Sequence, residues 1–332
     1  MSTQQRGVAL LTAIILVAVA AIVATTIAWQ SQLAARRGVA VFTIAQSLAL
    51  AEGAEAIAAY ALDTNLKNNP GVIAPNQIWA QPYGPVEIDN GAVLEASIED
   101  QAGKFNLNNV VMLQPQGGGP QSGTVPPGGP QNIWIENTPG KDQFSALLAS
   151  LNIDVGYAAR LVDWIDTDNQ PSSPGGAEDS FYLALQPPHR TPNMLLTNIS
   201  ELLAMGMDRA SYEKLAPLVT ALPPDVNGTL NVCTAPAEIL DVVSGTITYT
   251  LEDTKQFANN RQHSSCYPGV TAFMSGVTGP QRSYVQKLVG TKSTYFRLRT
   301  WITIGSTRFT LYSLINQRGN QIRPIFRTFG TE

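Results

Sequence analysis

The sequence predicts an α+β protein: one long N-terminal helix, a small antiparallel sheet assembled from distant parts of the chain, and a large helical insertion between them. Three observations predict it. An apolar run opens the chain and passes into an amphipathic pattern of helical period. Alternating strand patterns occur only near residue 98 and after residue 293. The stretch between them reads as helices joined by Gly- and Pro-rich loops.

The helix comes first. Val8 to Trp29 is an apolar run of about 22 residues, enough to cross a hydrocarbon core of about 30 Å. No charge lies between Arg6 and Arg36. A secretory signal has an apolar core of roughly 7–15 residues ending in a small-x-small site, so this run is too long for one. The leader MSTQQRG, with its single Arg, is expected to stay cytoplasmic and the body to face outward, although Arg36 and Arg37 on the far side pull against that orientation. Beyond the run, Leu33, Val41, Ile44, Leu48, Ala51, Ile57 and Leu62 recur at three- and four-residue spacing, with polar Gln46, Glu52 and Glu55 between them. The period carries to about Asn65, and residues 8–67 are assigned to one helix.

Residues 66–92, rich in Pro, Asn and Gly, read as a connecting loop with Trp79 and Tyr83 as packing anchors. Gly91 to Phe105 then sets apolar Val93, Ala96 and Ile98 against polar Glu95, Ser97 and Glu99, a strand with one wet face closed by a turn at Gly103. Residues 114–132 are a Gly/Pro/Gln tract expected to form a mobile loop. Helices are expected over Asp142–Ser150, Gly156–Asp166, Ser200–Met205, Asp208–Thr220, Ala235–Val243 and Leu251–Asn260. Ser293 to Ile304 and Thr307 to Asn316 alternate around Gly305-Ser306 as a hairpin, with Ile322 to Phe329 as a last edge strand. A strand near residue 98 and a hairpin near 300 need one another to bury a face. Residues 68–105 and 291–332 are therefore assigned to the β region, and 106–290 to the helical insert.

The net charge of −4 and the lack of Lys/Arg clusters argue against a nucleic-acid partner. Cys233 and Cys266 are the only cysteines, and an even count in a body outside the cytoplasm favours a disulfide. Carboxylates concentrate at Asp163, Asp166 and Asp168, where a helix ends, and at Glu178 and Asp179 after a Pro/Gly loop. Such groups repel by about 1 kcal/mol per pair or more at 4 Å, and a hard divalent cation that accepts six to eight oxygens relieves the repulsion. Calcium is the candidate ion, although the spacing lacks the Gly and Glu of an EF-hand loop. The competing reading makes Asp163, Asp166 and Glu178 simple helix and loop caps. His189 and His263 stand in unrelated contexts, with no catalytic motif around either.

A leader ending in Gly, a helix apolar in its first half and amphipathic in its second, and the D-x-x-G-K-F-N-L-N run from Asp100 to Asn108 resemble the type IV pilins and pseudopilins. Among them the chain is similar to the large minor pseudopilin of type II secretion, general secretion pathway protein K. The resemblance implies a pseudopilin fold, the long helix packed on a small antiparallel sheet, carrying a helical insert. It also implies cleavage by prepilin peptidase after Gly7, which leaves Val8 as the mature N-terminus. Most members carry Glu at the fifth mature position, and here Thr12 stands there, a departure that the K-type member shares. The implied role is structural, at the tip of the pseudopilus, where the subunit initiates or caps the fibre in protein export across the outer membrane. The implied setting is a single-pass inner-membrane protein with its body in the periplasm. Implied partners are other minor pseudopilins of the I, J and H types, the major pseudopilin and the inner-membrane assembly platform. The alternative is a membrane-anchored periplasmic metal-dependent hydrolase or binding protein that uses the helix as a tether. Leader removal separates the two.

Overall fold

A computed structural model describes residues 3–88, 91–114, 133–223, 229–319 and 321–330. Residues 115–132 of the Gly/Pro/Gln tract lie outside the described residues. In chain order the first elements are α1 (Thr3–Asn68), β1 (Tyr83–Ile88), β2 (Ala92–Asp100), β3 (Phe105–Asn106), β4 (Val111–Leu113), β5 (Trp134–Glu136), α2 (Thr138–Ser150), α3 (Gly156–Ile165) and α4 (Asp179–Tyr182). They are followed by α5 (Glu201–Ala204), α6 (Arg209–Leu215), β6 (Val219–Thr220), β7 (Leu230–Asn231), α7 (Ala237–Ser244), α8 (Leu251–His263), α9 (Val270–Gly276) and α10 (Arg282–Leu288). The chain ends with β8 (Val289–Gly290), β9 (Tyr295–Ile304), β10 (Thr307–Arg318) and β11 (Gln321–Phe329).

Helix α1 is one unbroken element whose first half is apolar and exposed, and among the described residues it is the one helix long and apolar enough to cross a membrane. Its second half buries a stripe of Ser47, Ala51, Ala54, Glu55, Ala58, Leu62 and Asn65 against the sheet. The stripe differs from the expected one. Ala51 and Leu62 lie in it as expected, but Ser47, Ala51, Ala54 and Ala58 make most of it, which lets the sheet approach the helix closely, whereas Val41, Ile44 and Ile57 are exposed and Glu55 points inward. Glu55 is tolerated because Arg327 donates to both its oxygens (Nε to Oε1 2.8 Å, Nη2 to Oε2 2.5 Å) and Ser313 Oγ donates to Oε1 at 2.5 Å.

The five-stranded sheet has the order β1-β2-β9-β10-β11 and is antiparallel throughout. Ala92, Leu94 and Ala96 of β2, with Phe296, Leu298 and Ile302 of β9 and Leu311 and Ile315 of β10, face the helix. The inward set on β2 is therefore the even-numbered one, and Val93 belongs to the opposite face. β1 was expected to be loop. Its Gly84-Pro85 interrupts the alternation and shifts the register between Tyr83 and Val86, a break that an edge strand tolerates. Trp79 is buried edge-on against Phe296, as an anchor should be, whereas Tyr83 is 40% exposed.

The region between β2 and β9 has its own core, built around Phe144, Leu147, Leu148, Leu161, Ile165 and Leu202. Three short ladders interrupt its helices: β3 with β6 and β7 with β8 in parallel, and β4 with β5 antiparallel. The expected helix over 208–220 stops at Leu215, where Pro217 turns the chain into a 3-10 turn. α9 and α10 were not foreseen. Each spans only 7 residues, too few for the helical period to show.

Among the described residues a buried hydrogen-bond cluster fastens the insert to the rest. Asp100, buried at the end of β2, accepts Thr234 Oγ1 (2.6 Å), Ser293 Oγ (2.7 Å), Asn231 Nδ2 (3.0 Å) and the Ala102 N–H (2.9 Å). Asn231 Nδ2 also donates to Ile73 O at 2.9 Å, and the Ile73 N–H donates to Thr291 O at 2.8 Å. Gly103 passes so close that a Cβ would stand 2.6 Å from Thr234 Oγ1. The insert thus sits beyond the C-terminal end of α1, the end farthest from the apolar run.

Candidate metal centre

Helix α3 has an apolar face at helical spacing, and that face buries Tyr157, Ala158, Leu161, Val162 and Ile165. The same turns carry Asp163 and, at the C-cap, Asp166 into the protein, where they are fully and almost fully buried. The chain then loops outward through Asp168 and returns over Gly175 and Gly176 to Glu178, which stands at the start of α4. Gly176 is required for this return, because a Cβ there would meet Asp163 Oδ2 at 2.2 Å.

The loop brings Asp166, Asp168 and Glu178 together, with one ligand oxygen from each lying within 4.8 Å of the others. Asp166 and Glu178 are buried and Asp168 is exposed. Asp166 Oδ1 and both Glu178 oxygens are buried without a hydrogen-bond donor, and Glu178 makes no capping bond to α4. The capping reading therefore does not describe these two residues. Burial, reinforced by the neighbouring carboxylates, pushes each of their carboxyls up to about 7.

Asp163 is adjacent but occupied. Both its oxygens accept the Ser172 N–H (2.9 and 3.1 Å), so it holds the loop, and burial raises its pKa as well. Asp179 is turned away: its Oδ1 accepts the Thr191 N–H at 3.0 Å and its Oδ2 pairs with Arg190 at 3.2 Å. Tyr182, at the end of α4, was not singled out from the sequence. Its hydroxyl is buried without a partner, within electrostatic reach of Asp163 and Glu178, and burial pushes its pKa up. The Glu-x-x-x-Tyr spacing from Glu178 was the available signal, since it puts both residues on one face of a helical turn.

The donor set is oxygen only, with three carboxylates and orphaned buried lone pairs, which fits a hard divalent cation such as calcium. His189 is engaged elsewhere: its ring nitrogens lie 3.1 Å from Pro187 O and 3.1 Å from Ala204 O, and the ring packs on Trp164 and Tyr182. His263 Nδ1 lies 3.0 Å from Asn259 O within its own helix. Cys233 and Cys266 are joined in a disulfide that ties the segment after β7 to the segment after α8.

Comparison with known proteins places this architecture. The family described as Type II secretion system (T2SS), protein K matches residues 103–224. The type II secretion system protein K of Pseudomonas aeruginosa is 30% identical over 98% of this chain and 93% of its own length. The chain belongs to the type II secretion system protein K family. The protein K of Pectobacterium carotovorum subsp. carotovorum is 28% identical over 99% of this chain and 98% of its own. A solved structure, the GspK-GspI-GspJ complex from enterotoxigenic Escherichia coli, matches with a TM-score of 0.70 and 26% identity, covering 89% of this chain and all of that one. The α+β pseudopilin fold and the role of minor pseudopilin in type II secretion follow from these matches together with the long helix and antiparallel sheet. Protein K is a structural component of the secretion system, and its family's matched segment contains the carboxylate loop.

Proposed function

We propose that this member of the family occupies the distal tip of the pseudopilus. In this reading α1 anchors it once in the inner membrane, the body stands in the periplasm, and prepilin peptidase cuts after Gly7. One observation carries the reading: the insert is fastened beyond the C-terminal end of α1, through Asp100, Asn231 and Ile73, where a further subunit of a thin fibre would have to stack. The chemistry of Thr12 points the same way. A Glu at that depth could pair with the N-terminal ammonium of a neighbour, and Thr offers no such charge. The expected neighbours are minor pseudopilins of the I and J types, by analogy with the complex of the related chain, together with an H type, the major pseudopilin and the assembly platform. They would pack on the outward side of α1, where Val41 and Ile44 are exposed and Leu48 is half-buried.

A calcium ion held by Asp166, Asp168 and Glu178, with Asp163 shaping the loop, would stiffen the insert. The role is structural rather than catalytic. Imaging isolated fibres with a label on the head tests the placement. Label at one end per fibre is expected, and label spread along the shaft overturns it.

A further inference from the structure

Apolar packing does little to hold helix α8 on the insert. The helix runs for 13 residues and buries one side chain, Phe257. A helix of that length is marginal in water until something fixes it to the rest of the fold. One turn further along the same face, Arg261 lies over the Phe257 ring, 5.0 Å from its centroid. Its Nη2 donates to Val232 O at 2.9 Å and to Ala235 O at 2.7 Å, and its Nε donates to Tyr267 O at 2.8 Å. Burial pushes the Arg261 pKa down to about 10, which leaves the group charged at neutral pH.

The three acceptors bracket the two cysteines. Val232 and Ala235 lie on either side of Cys233, and Tyr267 follows Cys266. The Cys233 side is fixed without α8: the Cys233 N–H donates to Asn231 Oδ1 at 3.0 Å, the Val232 N–H to Gly290 O at 3.0 Å and the Ala235 N–H to Asn231 O at 2.9 Å. The Cys266 side is not. Among the described residues, the hydrogen bonds that join residues 257–269 to the turn at 231–235 are those of Arg261. Cys233 is fully buried, whereas Cys266 is half-buried in the segment that follows α8.

We infer that Arg261 is the positioning residue for making the Cys233–Cys266 disulfide, and that Cys266 is the sulfur that meets the oxidant first. The oxidant is itself a disulfide. The Cys266 thiol loses its proton and attacks one sulfur of that disulfide, which forms a mixed disulfide and releases the first thiolate. The Cys233 thiol then loses its proton and attacks Cys266 Sγ, which closes the bond and releases the second thiolate. Two electrons pass from the cysteines to the oxidant, and the two cysteine protons end on the two released thiols. Arg261 acts at the second step. By docking α8 on the carbonyls around Cys233, it brings Cys266 to a thiol whose backbone is already fixed. A guanidinium suits this task because its planar fork serves carbonyls on both sides of the gap, where an ammonium is a single point donor.

The test uses the full chain, reduced, in neutral detergent, with glutathione disulfide as the oxidant and acid-quenched mass spectrometry to follow each species. C233S is expected to collect glutathione on Cys266, and C266S to collect it on Cys233 more slowly by about tenfold or more. In R261Q the first step is expected to keep its rate and the closure to slow by about tenfold or more, because the thiols are no longer held together. R261K, which keeps the charge without the fork, is expected to close about threefold more slowly. R282Q is the control: Arg282 also donates to main-chain carbonyls of the insert, Met274 O and Val277 O, away from both cysteines, and its loss is expected to leave closure unchanged. Closure at the wild-type rate in R261Q, or in folded R261K should R261Q unfold, overturns the positioning role, as does equal slowing in R282Q or a first step that changes as much as the second. Labelling of Cys233 as fast as Cys266 overturns the order of attack.

Discussion

Replacing Asp100 with Ala removes the acceptor at the joint between sheet and insert. Four donors converge on this carboxylate, but two have another acceptor within reach. Thr234 Oγ1 is 3.3 Å from Asn231 O, and Asn231 Nδ2 also reaches Ile73 O and Ser293 Oγ. The loss therefore falls on the Ala102 N–H and the Ser293 hydroxyl. Hydrogen bonds to a charged acceptor contribute about 1.5–3 kcal/mol each, and the desolvation cost of the carboxylate is recovered in part when it is removed, so the expected net loss is about 3 kcal/mol. Asp100→Asn keeps one acceptor oxygen and should lose about half as much. Urea unfolding of the full chain in neutral detergent, followed by circular dichroism, reads both values as shifts of the midpoint at constant slope. A loss under about 1 kcal/mol for Asp100→Ala, or equal losses for the two variants, would show that the carboxylate does not hold the joint.

Calcium should raise the melting temperature and EDTA lower it, by about 2.7 kcal/mol of stability at a hundredfold excess over the dissociation constant, and D166N/D168N should abolish the response. In EDTA the sign of the pH dependence is set by Asp166 and Glu178: held at about 7 when folded, against ordinary values of 3.8 and 4.5, they favour the folded state at low pH and lose that contribution as pH rises toward and through 7. Metal-free protein should then melt higher at pH 5 than at pH 8 relative to a D166N/E178Q variant, and a flat difference would mean that these groups are not held up. Cys233→Ser opens a covalent loop of sequence separation 33 and should cost about 3–4 kcal/mol, with two alkylatable thiols in unreduced protein as the contrary result. N-terminal sequencing of protein from cells with active prepilin peptidase should begin at Val8, and retention of Met1 would contradict the processing.

Long-period features were legible from the chain. The 3.6-residue period carried α1 to within a few residues of its end, and the alternation around Gly305-Ser306 located β9 and β10. The composition of the buried stripe was not legible, because Glu55 looks like a surface residue until Arg327, 272 positions away, is folded over it. β1 was hidden by Gly84-Pro85, and the two-residue ladders of the insert are too short to carry any period. At the carboxylate loop the residue types announced a cluster. Which of the five carboxylates converge depended on backbone turns at Gly175 and Gly176 and on Arg190 drawing Asp179 aside. The pairing of Arg299 with Tyr312 needed the register, which alternation alone does not supply.

The direct pairing of β2 with β9 has a consequence for the order of events when the chain first folds. Asp100 lies opposite Phe296, so two neighbouring strands are joined by an excursion of nearly 200 residues instead of a tight turn. Each doubling of a loop adds about 0.6 kcal/mol to the entropy of closing it, and between a two-residue hairpin and this excursion lie more than six doublings, about 4 kcal/mol. An unfolded excursion would charge that whole sum to the strands. A folded one presents its two ends side by side, since β7 pairs with β8 and the Asn231 N–H also donates to Ala102 O at 2.8 Å, where the excursion begins. The insert therefore acts as a very large prefabricated turn, and the sheet closes on it. Pulse-labelled hydrogen exchange should find α2 and α3 protected before β2 and β9, and the reverse order would show that the strands find each other unaided.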